Sequence, residues 1–244
     1  MKIGVLILSG CLLAGTAGAA EPGSIVGRII VTRAMTKRRV SLPAYSLRGV
    51  STGQVDADEA ATHQKSRSNE LSQVVVYLQG PGLPKGAPVT ATLAQKDRRF
   101  DPDFVVVPVG STVSFPNDDP VFHNVFSLSK TKKFDLGYYP RGETRKVKFD
   151  QPGVVQVYCH IHSDMSAAIL VVPSAFWTRP SADGSFSFKN VPPGSYEIIA
   201  WHRSAGIFRY QTTVEARQRR VVQIEIPVRE ANAGAASTGA GSGR

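Results

Sequence analysis

Between Tyr158 and Met165 the chain reads Tyr-Cys-His-Ile-His-Ser-Asp-Met, which sets a thiol at Cys159, an imidazole at His162 and a thioether at Met165 in the spacing CxxHxxM. A soft anionic sulfur, a nitrogen and a weak sulfur in one short loop are three of the four donors of a trigonal copper site with a long axial Met. The fourth donor is a distant histidine. His123 fits, at the end of Phe115-Pro116-Asn117-Asp118-Asp119-Pro120-Val121-Phe122-His123-Asn124, where a strand-like run gives way to turn residues. The expected metal set is therefore His123, Cys159, His162 and Met165 around one copper ion. The thiolate supplies a short covalent bond, two neutral imidazoles complete the plane, and Met165 is the weak axial donor that helps set the potential. Such a set leaves no open coordination position and no substrate-activating group stands beside it, so the expectation is a one-electron carrier and not an enzyme.

The cysteine count narrows the alternatives. The chain has two cysteines, Cys11 and Cys159, and five histidines: His63, His123, His160, His162 and His202. A single cysteine left in an exported chain closes no internal disulfide, which leaves a buried thiol, an intermolecular link or a ligand. Cys159 shares strand parity with Val155 and Val157 and so faces inward, while Gln156 and Tyr158 face out. A dinuclear copper centre needs two cysteines in this loop, and a trinuclear cluster needs more histidines than the chain holds. A structural zinc site would have no use for Met165, and no general base marks a catalytic one.

The elements that must position these donors read as all-β. Strand candidates are Ile25 to Val31, Val74 to Leu78, Val89 to Leu93, Val105 to Val109, Thr112 to Phe115, Lys146 to Phe149, Val154 to Tyr158, Ala168 to Val172, Ser185 to Phe188, Tyr196 to Trp201, Tyr210 to Val214 and Val221 to Val228. Several alternate apolar and polar residues, as in Val222-Gln223-Ile224-Glu225-Ile226, and Pro/Gly or Asp/Gly pairs punctuate them. That many strands suit two packed β-sandwiches better than one. Trp201-His202 reads as packing followed by an exposed His, Phe115, Phe122 and Phe126 read as core, and His160 as an outward neighbour of an inward ligand. His63 sits in the polar stretch Ser51 to Ser72, a long loop, and carries no assigned role.

The "FPN…HN" segment and the "YCxxHxxM" loop together resemble the cupredoxin family of plastocyanin, pseudoazurin and amicyanin, with the amicyanin-like gap between His162 and Met165. The resemblance implies a Greek-key β-sandwich, a type 1 (blue) copper and electron transfer. It also implies that Asn124 tethers the two ligand loops and donates a backbone hydrogen bond toward the cysteine sulfur. Relatives carry Ser or Thr after the cysteine and Pro before the second His; this chain has His160 and Ile161 there. The flanks resemble a carboxypeptidase regulatory-like module, an Ig/transthyretin-like sandwich, through Asp183-Gly184-Ser185-Phe186 and Val191-Pro192-Pro193-Gly194-Ser195-Tyr196. Its early and late strands bracket the copper segment. The expected organisation is a signal peptide at 1–20, the first part of the regulatory-like sandwich at 21–80, an inserted cupredoxin domain at 81–173, the second part of the sandwich at 174–230 and a Gly/Ala/Ser tail at 231–244.

Lys2 followed by an apolar run and by Ala17-Gly18-Ala19-Ala20 reads as a secretory signal, which points to a periplasmic or secreted protein. Leu8-Ser9-Gly10-Cys11 is the competing reading, a lipobox that would lipidate Cys11. The formal net charge is +10 in 244 residues, spread over Lys37 to Arg39, Arg98-Arg99, Lys130 to Lys133, Arg141 to Lys148 and Arg217 to Arg220. No nucleic-acid motif accompanies these clusters. They suit attraction to an acidic redox partner or peripheral association with an anionic membrane. Copper storage or delivery, and a structural binding sandwich with a vestigial metal site, are the rival functions.

Overall fold

The computed structural model describes residues 21–34 and 70–229. The expected signal at 1–20 with Cys11, Lys37 to Arg39, His63 and the expected tail at 231–244 lie outside the described residues. In chain order the strands are β1 (Gly23–Ala34), β2 (Val74–Gln79), β3 (Thr90–Thr92), β4 (Ala94–Lys96), β5 (Arg99–Asp101), β6 (Phe104–Pro108), β7 (Ser111–Pro116), β8 (His123–Ser129) and β9 (Lys132–Tyr139). They continue as β10 (Thr144–Phe149), β11 (Gly153–Tyr158), β12 (Ser166–Val172), β13 (Trp177–Thr178), β14 (Ser185–Val191), β15 (Gly194–His202), β16 (Gly206–Val214) and β17 (Arg219–Arg229). A helical turn at 70–72 precedes β2. The fold is all-β.

Four sheets and a small hairpin carry these strands, in the orders β14-β1-β17, β13-β2-β15-β16, β6-β12-β11-β8-β9, β10-β7-β3 and β4-β5. The strands before residue 80 pair with strands that follow residue 176: β1 lies between β14 and β17, and β2 between β13 and β15. Everything from β3 to β12 pairs within its own sheets.

Three apolar cores separate the four sheets, so the molecule is a stack of layers. Ile25, Val76, Leu78, Phe186, Ile198 and Ile224 fill the first core, between the sheets of β1 and β2. Val113, Phe115, Phe149, Val157, Ile169 and Val171 fill another, between the sheets of β7 and β12. Between these two, Val75, Tyr77, Ile199 and Trp201 meet Phe104, Ala168, Leu170 and Val172. Strands β2, β12 and β15 are thus apolar on both faces. This is why Val74-Val75-Val76-Tyr77-Leu78 and Ala167-Ala168-Ile169-Leu170-Val171-Val172 are unbroken hydrophobic runs and do not alternate.

Three sequence expectations fail here. Phe126 is not core: it is only partly buried, lies outside the three apolar cores and stacks on His160, because its neighbours Val125 and Ser127 take the inward face of β8. Phe122 is not core: it follows a proline-containing turn, ahead of β8, and is 57% exposed. His202 is not exposed. It is fully buried at the end of β15, where its Nδ1 accepts backbone hydrogen bonds from Ser204 (3.2 Å) and Ala205 (3.1 Å), and its Nε2 lies 3.1 Å from Glu70 Oε2. Burial lowers the His202 pKa against the opposing pull of Glu70. Two N–H groups already aimed at Nδ1 leave no room for a proton there, which favours the neutral ring independently. With the folded-state pKa below the unfolded value of about 6.5, the unfolded chain binds more protons in between. Stability is then present above pH ~6.5 and is lost as pH falls toward the lowered folded value. Urea midpoints at pH 7.5 and 5.5 should therefore diverge less in His202→Asn, whose carbonyl can still accept the two N–H groups. An undiminished pH dependence in that variant would put the effect on other groups.

Candidate metal centre

The first ligand loop is built around buried polar side chains. Asn117, fully buried at the end of β7, donates from Nδ2 to the carbonyls of Val121 (2.9 Å) and Tyr139 (3.0 Å), and its Oδ1 accepts from the Asp119 N–H (3.0 Å). This Asx arrangement folds the Asn117-Asp118-Asp119-Pro120 turn back toward β8. Asp119 Oδ2 lies 2.7 Å from His123 Nε2. The same carboxylate accepts the backbone N–H groups of Asp97 (2.6 Å) and Arg98 (2.8 Å) at the tip of the β4-β5 hairpin. Burial pushes the Asp119 pKa up, but the hydrogen bonds from Arg98, His123 and Asp97 outweigh it and hold the group below its ordinary value. An ionised Asp119 keeps the His123 proton on Nε2 and turns an unprotonated Nδ1 inward, the orientation that a carboxylate behind a metal-binding histidine imposes.

The second loop follows β11. Val155 and Val157 are buried, Tyr158 is exposed, and Cys159 is buried just past the strand end, as the alternation required. Two backbone hydrogen bonds close the loop: the Met165 N–H donates to the His162 carbonyl (3.0 Å), and the Cys159 N–H to the Met165 carbonyl (3.2 Å). Met165 is buried in the same apolar core as Cys159.

His123, Cys159 and His162 converge, with their donor atoms all within 4.8 Å of one another. Cys159 Sγ lies 3.8 Å from His123 Nδ1 and 3.8 Å from His162 Nδ1. The imidazole centroids are 4.8 Å apart, with the rings inclined at 59°. Bonds of the length known for zinc, about 2.3 Å to sulfur and about 2.0 Å to nitrogen, opened to roughly 120°, put sulfur about 3.7 Å from each nitrogen. The observed separations match that requirement twice over, and the donor set is the soft-sulfur-plus-imidazole kind that suits copper. His123 is fully buried, whereas His162 is only partly buried, next in the chain to Ile161, which is 52% exposed. Burial, then His123 and Arg98 nearby, lower the His162 pKa and favour the neutral ring that a metal requires.

His160 turns away from this cluster. Its ring stacks on Phe126 at 3.8 Å and 5°, on the outer face of the sheet, and its Nε2 lies 3.3 Å from Asp135 Oδ2. Asn124 tethers the two loops through Oδ1, which accepts the His160 N–H at 3.1 Å. Sequence reasoning did not reach Asn117, Asp119 or Asp135. An Asn-Asp-Asp-Pro run is a turn signal on its face, and only the packing of β4-β5 and β9 against it shows what its side chains hold.

A family model described as polysaccharide lyase family 4, domain II, matches residues 173–222, from just after β12 into β17. No curated protein sequence matches the chain. Among solved structures the chain is similar to a purple cupredoxin from Nitrosopumilus maritimus, at 26% identity over 34% of this chain and 99% of that one, with a TM-score of 0.31. It is also similar to a copper-containing nitrite reductase from Thermus scotoductus SA-01, at 25% identity over 38% of this chain and 25% of that one, with a TM-score of 0.33. A third is a copper(I) form of an amicyanin variant, at 15% identity over 39% of this chain and 99% of that one, with a TM-score of 0.32.

Proposed function

We propose that this chain is an exported one-electron carrier whose residues 81–173 form a cupredoxin domain holding a single type 1 copper through His123, Cys159, His162 and Met165. The observation that carries the reading is the pair of 3.8 Å separations from one buried thiol to two imidazole nitrogens on different loops. Copper bound there would supply a one-electron couple. The chain's own residues do the rest. Asp119 fixes the His123 tautomer, the apolar core around Cys159 and Met165 excludes water, and the backbone bonds of the second loop hold the donors in place, so a change of charge meets little rearrangement. His162, the least buried of the three converging side chains, gives the way out to solvent, and the exposed Phe122 and Ile161, chain neighbours of His123 and His162, offer a dry contact for a partner. The basic clusters support an acidic redox partner, and the signal-like start supports a periplasmic or secreted location. The flanking sheets, with β1 and β2 on one side of the insertion and β13 to β17 on the other, support a regulatory-like sandwich that receives the copper domain as an insert.

Titration of the metal-free protein with Cu(II), followed by visible absorption, tests the reading. One equivalent should produce an intense blue band that ascorbate bleaches and reoxidation restores. Tight Cu(I) binding with a colourless oxidised form would instead favour storage or delivery, and no stoichiometric uptake would leave a vestigial site.

A further inference from the structure

The ligand loop Cys159-His160-Ile161-His162-Ser163-Asp164-Met165 contains no proline, so the chain itself does little to stiffen it. Its stiffness must come from neighbours. One residue of β9 touches both ends of the problem. Asp135 Oδ1 accepts from Asn124 Nδ2 at 2.7 Å, and Asp135 Oδ2 lies 3.3 Å from His160 Nε2. Asn124 directly follows one donor, His123, and His160 directly follows another, Cys159.

The backbone explains how Asp135 arrives there. Along the β8-β9 pair, Asn124 faces Tyr138 and Phe126 faces Asp135, so β9 carries one extra residue. Gly137 takes up that bulge at φ +64°, a conformation that suits glycine, and its N–H donates to Asp135 Oδ1 at 2.9 Å. The bulge leaves Phe134 and Leu136 packed against the core while Asp135 points outward beside Phe126. Phe126 also faces Tyr158 across the sheet, which sets its ring under His160.

The geometry points to Asp135 as a positioning residue for the metal loop, a role that rests on the copper reading above. By accepting from Asn124 Nδ2 it decides which way the Asn124 amide is turned, so that Oδ1 and not Nδ2 meets the His160 N–H. By holding the His160 ring flat on Phe126 it pins the residue next to Cys159. The sulfur position is thus set from outside the copper core by a clamp of Asn124, Asp135, Phe126 and His160.

Two variants and two readouts test this. In the metal-free protein, Asp135→Ala should speed amide exchange at His160 about fivefold, the factor that losing one ordinary hydrogen bond implies. In the copper-loaded protein it should shift the visible band and the reduction potential. Asp135→Asn, whose carbonyl can still accept from Asn124 and Gly137, should restore most of both. Parental exchange and spectrum in Asp135→Ala, even with a lowered melting temperature, would make Asp135 merely structural and overturn the clamp. An Asp135→Asn variant as damaged as the alanine would overturn it too, in favour of a charge effect. If the parent takes up no copper, the function proposed above fails by itself, and the metal-free exchange measurement still decides the clamp.

Discussion

Cys159→Ser should abolish the blue absorption of the copper-loaded protein, while Met165→Leu should keep it and raise the reduction potential. The serine replaces a soft thiolate with a hard, largely protonated hydroxyl, so the sulfur-to-metal charge transfer that gives the colour has no donor left. Copper could still be held by His123 and His162, whose nitrogens face the same point, but it would be pale. Met165 is different. It sits buried at the end of the loop, where the proposed function makes its sulfur the weak axial donor, and leucine conserves its volume, so the fold should lose less than about 1.5 kcal/mol. Removing an electron-rich axial donor and leaving a drier site disfavours the higher charge, which is the physical reason for the upward shift. Visible spectra and voltammetry of the two variants beside the parent decide the matter. Identical spectra and potentials in all three would mean that this loop holds no type 1 copper.

The cluster of His123, Cys159 and His162 was legible in the sequence, because the short loop spacing and strand parity bring Cys159 and His162 inward together. Cys159 had to face inward if Val155 and Val157 did, and burial follows that alternation. The residues that orient the donors were not legible, because their roles are made by tertiary pairing. Asp119 reads as one more turn carboxylate until the β4-β5 tip is seen to bring two backbone N–H groups against it. That tip is itself hidden: Asp97 and Arg98 both take positive φ, 53° and 56°, with no glycine to announce a tight hairpin. His202 is a similar case, since its partner Glu70 lies far back in the chain.

Among the strands, β8 and β9 escaped detection although β9 alternates Phe134 and Leu136 with Lys133 and Asp135. It is an edge strand interrupted by the Gly137 bulge, and lysines at an edge read as loop. The long apolar runs of β2 and β12 were easy to find as strands, but their lack of alternation carried a further message. A strand apolar on both faces lies between two cores, and here one of those cores is the contact between the two halves of the molecule.

Trp201→Ala should destabilise the protein by about 3–5 kcal/mol, the usual cost of truncating a buried aromatic, and should loosen the sheet of β12 as well as its own. Trp201 belongs to β15, is 2% exposed, and meets Phe104 of β6 edge-on at 5.2 Å and 69°. Phe104 also carries the Arg179 guanidinium over its ring at 4.2 Å, so two side chains from beyond β12 contact this one ring. Next to β6 lies β12, whose Ala168, Leu170 and Val172 face the same contact while Ile169 and Val171 face the core that holds Cys159 and Met165. A cavity at Trp201 therefore removes cover from the strand that Met165 leads into. Tyr210, on the exposed part of β16, touches neither of these cores, and Tyr210→Ala should stay within about 0.5 kcal/mol. Guanidinium unfolding by far-ultraviolet circular dichroism gives the stability, and amide exchange along β12 reports the coupling. A Trp201→Ala loss below about 1 kcal/mol, with β12 protection unchanged, would mean that the two halves stand independently and that the flanking sheets do not brace the Cys159–Met165 loop.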